Sequence, residues 1–114
     1  MRWRRTDIDF AIMRIVEDGA LSACKIDKDY YDKHRNSRRS EITIIKQIVC
    51  HYLRKNTVYS QGTIGEFLGL NHATVCYHNM RCQDLIKIDK IYAKIYKEAN
   101  DIIRLKLAEM GDNY

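Results

Sequence analysis

The clearest helical periodicity lies mid-chain, in EITIIKQIVCHYLRK. Ile42, Ile45, Ile48, Val49, Tyr52 and Leu53 recur there at spacings of three and four, with Ile44 beside them. Lys46, Gln47, Arg54 and Lys55 fall on or near the opposite face, and Asn56-Thr57 breaks the pattern. Upstream, Thr6 is the expected N-cap of a first helix, with Asp7 and Asp9 in its first turn and Ile8, Ile12, Ile15 and Val16 on its apolar face. Gly19 is expected to end it. Between 22 and 32, Cys24, Ile26 and the Tyr30-Tyr31 pair suit a short second helix, and KHRNSRRS, residues 33–40, reads as a basic loop. Downstream, Ser60 caps a short helix over 61–68 with Ile64, Phe67 and Leu68 inward. Gly69 makes a tight turn. Asn71 caps a helix running to about 86, with Val75 and Met80 toward the core and Cys76, Cys82 and Leu85 alongside. A last helix, roughly 89–109, aligns Ile91, Ile95, Ala99, Ile102 and Leu105 or Lys106.

Composition supports that reading. Proline is absent, there are only 5 glycines, and no repeat or low-complexity tract divides the 114 residues. The expected fold is a small all-α domain with one modest core. No apolar run approaches a membrane span, and the Met-Arg-Trp-Arg-Arg start has no apolar stretch behind it. A cytoplasmic, nucleoid-associated protein is therefore expected.

Charge is distributed unevenly. Residues 33–55 hold Lys33, Arg35, Arg38, Arg39, Lys46, Arg54 and Lys55 against Glu41 alone, and Arg2, Arg4 and Arg5 crowd the start. Residues 6–32 are acidic, with seven carboxylates against Arg14, Lys25 and Lys28. Such concentration is the electrostatic footprint of a polyanion binder. The four cysteines, Cys24, Cys50, Cys76 and Cys82, are read as small apolar residues rather than disulfides. His72, Cys76, His78 and Cys82 are ligand types that suit zinc, but at about 100° per residue the first two lie on one helix face and the last two on another. No metal and no cofactor are expected. Neither a carboxylate cluster for metal-dependent hydrolysis nor a placed nucleophile–base pair is evident, so the chain does not read as an enzyme.

A short helix, a glycine turn and a second helix with a small, polar N-terminus is the helix-turn-helix pattern. In that motif the second helix enters the major groove N-terminus first. Asn can pair bidentately with adenine, Ala can touch a thymine methyl, and Thr can serve a phosphate or a base. Asn71 is already explained as a cap, so it is the combination with the basic loop that favours DNA.

Residues 37–86 resemble the C-terminal DNA-binding domain of the bacterial replication initiator DnaA. SRRSEITIIKQI (37–48) is similar to that family's basic loop and following helix, SQGTIGEFLG (60–69) to the first helix of its helix-turn-helix, and NHATV (71–75) to its Asp-His-Thr-Thr-Val signature. The resemblance implies an arginine in the minor groove at Arg38, with Arg39 beside it in the basic loop. It implies phosphate contacts from Lys46, Gln47, Arg54 and Thr74, and base reading by Asn71, His72 and Ala73. Ser60, Gln61 and Gly62 would lie against the DNA. The chain departs from the family in three ways. The turn is one residue shorter than Gly-Gly-Arg-Asp-His, Asn71 stands where the family has aspartate, and Ala73 lacks a hydroxyl. A Gly-x-x-x-x-Gly-Lys-Ser/Thr nucleotide loop is absent from the sequence. The expectation is a stand-alone reader of double-stranded DNA, of a kind a phage or mobile element encodes, acting in replication or transcription. It divides into an N-terminal helical extension (1–36), the helix-turn-helix core (37–88) and a C-terminal helix (89–114). The rival expectation is a protein-interaction module that docks a protein partner or a second copy through its first or last helix.

Overall fold

The computed structural model describes residues 5–112, without the side chains of residues 5–7 and 112. The basic start at Arg2 and Arg4 and the side chains of Arg5, Thr6 and Asp7 fall outside it. Among the described residues six helices follow one another: α1 (Arg5–Cys24), α2 (Lys28–His34), α3 (Ser40–Asn56), α4 (Gln61–Leu68), α5 (His72–Ile88) and α6 (Lys90–Asp112). The fold is all-α. None of the described helices is long and apolar enough to cross a membrane.

The mid-chain stripe makes α3 the central helix. Ile42, Ile45, Ile48, Val49 and Leu53 are fully buried, and every residue from Ile45 to Leu53 is buried. A helix buried all round needs neighbours on every side, and α1, α4, α5 and α6 supply them. Lys46 and Gln47, expected on the outer face, are therefore enclosed at 7% and 6% exposure. The core is one cluster that draws Met13, Val16, Ala20 and Tyr31 from the first third, Val75 and Cys82 from α5, and Tyr92, Ala99 and Ile103 from α6.

Helix ends follow local chemistry. Ser60 Oγ accepts from Thr63 N at 3.1 Å, and Asn71 Oδ1 accepts from Thr74 N at 2.8 Å, so α4 and α5 begin where their caps predict. Gly69, at φ +72°, closes α4 in the left-handed region where glycine has no steric penalty. Asp89 separates α5 from α6 and caps the latter, its Oδ1 accepting from Ile91 N and Tyr92 N at 3.0 Å.

Several expectations are corrected. α1 is already helical at Arg5, one residue before the expected cap at Thr6. It also passes straight through Gly19. Gly19 is buried where α6 crosses α1, and a Cβ there would run into Ile103 Cγ1, so the residue answers a close approach rather than a helix end. The helix stops instead at Lys25 (φ +57°), where Lys25 N donates to Ser22 O and Ile26 N to Leu21 O. Met80 is 57% exposed, not core; His78, three residues after Val75, occupies the inward position with Val75 and Cys82. Ile91 (75% exposed) and Leu105 also face outward, because the inward stripe of α6 runs through Tyr92, Ala99 and Ile103.

These two helix positions make opposite predictions. Gly19→Ala pushes α6 off α1 and is expected to lower stability by about 1–3 kcal/mol. Lys25→Gly relieves a left-handed residue and is expected to raise it by about 1 kcal/mol. Urea denaturation of each variant checks both signs.

Candidate nucleic-acid interface

The turn at Gly69 brings the N-termini of α4 and α5 to one corner. The His72 ring lies over Gly62 so closely that a Cβ on Gly62 would stand 3.0 Å from His72 Nε2 and 3.4 Å from Cε1. Ser60, Asn71, His72 and Ala73 are exposed there, and Gln61, Gly62 and Thr74 are half-buried. Two adjacent helix N-termini, each with unpaired backbone N–H groups and a positive dipole end, favour an anion at this corner.

Capping constrains what Asn71 offers. Its Oδ1 accepts from both Thr74 N (2.8 Å) and the Thr74 hydroxyl (2.9 Å). The amide nitrogen remains as a donor. A bidentate adenine contact would need Oδ1 to leave the cap, at a cost of about 1 kcal/mol. As arranged, Asn71 suits a base acceptor such as purine N7 or thymine O4.

The basic residues divide into outward and inward groups. Arg38 is exposed and borders a cleft of about 420 Å3 with Ser40, Thr43, Arg81 and Asp89. Arg81, which sequence reasoning passed over, lines the same cleft as Arg38 from the middle of α5. Arg39 is exposed and donates to the Tyr30 hydroxyl at 3.3 Å, while that hydroxyl donates to Glu41 Oε1 at 2.6 Å. Arg54 is exposed, and its Nη1 donates to Tyr59 O at 3.0 Å, fixing the segment that leads into Ser60. Tyr59 is held from the other side as well, its hydroxyl donating to Asp9 Oδ1 at 2.8 Å.

Three residues counted on charge or polarity turn inward. Gln47 Oε1 accepts from the Tyr92 hydroxyl at 3.0 Å in the interior. Lys46 is buried, and burial first, then the Arg35 charge, holds its ammonium below the usual lysine range. Arg35 lies 3.5 Å from the buried Glu17 carboxylate and donates to Phe67 O at 2.8 Å. Burial pushes the Glu17 carboxyl up, against the Tyr31 hydrogen bond and the Arg35 charge, which pull it down. Lys46 and Gln47 are thus nearly enclosed, Gln47 at the wall of the cleft that Arg38 borders.

On the flank of α3 and α5, His51 Nδ1 pairs with Asn79 Oδ1 at 2.8 Å beneath a cleft of about 520 Å3 edged by Arg54, Lys55 and Lys87. His78 is buried with no partner for its Nδ1. Burial is the first cause of a lowered pKa in both histidines. His72 is exposed while His78 and Cys82 are buried, and among the described residues no three His, Cys, Asp or Glu side chains converge as metal ligands.

The chain is similar to chromosomal replication initiator proteins named DnaA. It is 37% identical over 70 residues to that of Tropheryma whipplei, covering 60% of this chain and 15% of the relative. It is 32% identical over 96 residues to that of Nostoc punctiforme and 30% identical over 96 to that of a second Nostoc, each covering 83% of this chain and 20% of the relative. The chain thus spans a fifth or less of the length of these relatives. No family model matches it. The likeness fits a domain like the C-terminal domain of DnaA.

The two buried histidines predict an acid-sensitive fold. Their folded pKa values lie below the unfolded value near ~6.5, so below that pH the unfolded chain binds more protons and stability falls as pH drops. The melting temperature is expected to decline from pH 7.5 to 5.5, and less steeply in His78→Leu. Equal slopes would assign the decline elsewhere.

Proposed function

We propose that this chain, similar over most of its length to DnaA initiators, binds double-stranded DNA sequence-specifically through a helix-turn-helix formed by α4 and α5. The observation that carries the reading is the corner where His72 is seated over Gly62 with Asn71 and Ala73 exposed beside it. In this reading α5 enters the major groove N-terminus first. The Asn71 amide nitrogen, the His72 ring and the Ala73 methyl meet base edges. Thr74, Ser60, Gln61 and the backbone at Gly62 meet phosphates, where the two helix dipoles add attraction. Arg54 grips the backbone while holding the Tyr59 carbonyl, which sets the approach of α4.

Arg38 enters an adjacent minor groove, where the narrow groove of A·T-rich DNA attracts arginine. Arg39 and Arg81 flank it on the backbone. Lys46 and Gln47 leave the contact set and act as supports beneath it: Gln47 through Tyr92, and Lys46 as buried charge behind the recognition helix. The residues bind and read; none is arranged for catalysis. By occupying an initiator box, the protein acts in replication or in transcription from that site. Residues 37–88 carry the contacts, with α1, α2 and α6 as the frame.

Fluorescence-anisotropy titrations against a duplex carrying an initiator box and its scrambled counterpart, across a salt series, test this. A preference that persists at moderate salt is expected; weak, equal and steeply salt-dependent binding contradicts it. Within that assay, Arg38→Ala is expected to cost about 1–3 kcal/mol at A·T-flanked sites and less elsewhere. Arg54→Ala should weaken all sequences and lower the salt slope by about 1. A uniform loss in both variants would remove Arg38 from the minor groove.

A further inference from the structure

The exposed face of α5 does not end at Ala73. One turn on stands Tyr77, 61% exposed, and beyond it Met80, 57% exposed. At about 100° per residue these three side chains fall within about 60° of one another, opposite the buried Val75, His78 and Cys82. The Met80 thioether is braced on its own helix, 3.9 Å from Cys76 Sγ. An aromatic ring and a thioether thus form an apolar stripe continuous with Ala73, on the helix and face that the proposed function places in the groove. The core has no use for them.

We propose that Ala73, Tyr77 and Met80 read the C5-methyl groups of thymines, so that the preferred site carries a short thymine run on one strand. The inference rests on the helix-turn-helix reading and gives it a base preference. The thymine methyl is the apolar group that B-DNA presents in its major groove, and small, aromatic and aliphatic side chains are what contact it. From 73 to 80 the helix rises about 10.5 Å, close to three base steps of about 3.4 Å. Asp84, exposed one turn farther on, bounds the stripe, because its carboxylate would face phosphates if α5 lay deeper. Arg81, on the flank toward Arg38, keeps the backbone side of the helix cationic.

The test uses the full chain and a duplex recovered by selection from a random-sequence pool. Each thymine is replaced in turn by deoxyuridine, which removes the methyl and leaves base pairing and the hydrogen-bonding edge intact. Two or three neighbouring positions are expected to lose about three- to fivefold in affinity, the size of one buried methyl. Met80→Ala should abolish the loss at one of these positions and Tyr77→Ala at its neighbour, with melting temperatures unchanged because both side chains are exposed. A duplex still preferred over its scrambled form, with deoxyuridine neutral everywhere, would overturn the stripe and leave the helix-turn-helix reading standing. It would put Tyr77 and Met80 outside the groove, as a face for another protein. Losses that persist unchanged in both variants would also overturn it. No preference for any selected duplex would remove the parent reading and the stripe together.

Discussion

The Glu17 carboxylate, 2% exposed, is the constraint around which α1, α2 and α4 are arranged. A buried carboxylate is tolerated only with partners. It takes the Tyr31 hydroxyl at 2.8 Å from α2, Arg35 at 3.5 Å from the segment after α2, and Arg14 at 3.9 Å from its own helix. Arg35 then extends the network to α4 by donating to Phe67 O, and its guanidinium lies over the Phe67 ring at 5.5 Å, with Phe10 stacked on that ring at 6.1 Å. Loss of the Tyr31 or Arg35 contact is costly, because the Glu17 carboxyl then stays buried with fewer partners. One polar cluster therefore ties α1, α2 and the start of the basic loop to α4.

A second set of contacts fixes the other side. Gly19 admits Ile103 at the crossing of α1 and α6, and the Tyr92 hydroxyl of α6 reaches Gln47 on α3. With α5 packed along it and Asn79 paired to His51, α3 is enclosed and acts as a rigid spine. The α4–α5 corner is left as the polar end of that spine. A site built on packed helices holds its groups more accurately than one on loops. The His72 ring is positioned by the absence of a side chain at Gly62, and Asn71 by its own cap, so the corner needs no ligand to acquire its shape.

Elements governed by local rules were legible in the sequence. The Ile42–Leu53 stripe, the caps at Ser60 and Asn71 and the left-handed turn at Gly69 depend on residues within a few positions of one another. The structure departs from the sequence reading where a distant element decides. Gly19 resembles a helix end until α6 is known to cross it. His78 displaces Met80 from the core because helical phase outranks hydrophobicity three residues after Val75. Ile91 faces out because the Asp89 cap and the Tyr92–Gln47 bond set the rotation of α6. Arg35 and Lys46 look like surface cations in a basic run, but a buried glutamate draws one inward and the packing around α3 encloses the other. The capped, polar start of α5 was visible from NHAT, but its seating of His72 over Gly62 and the cleft shared by Arg38 and Arg81 were not, because both depend on how separate elements pack.

The most direct measurement is a backbone-amide NMR titration of the protein with an initiator-box duplex. The account predicts shift changes concentrated at residues 60–62 and 71–74 and around Arg38, with the amides at the Gly19–Ile103 crossing unmoved. Changes centred on α1 and α6, or none at a salt concentration where the duplex binds, would contradict it.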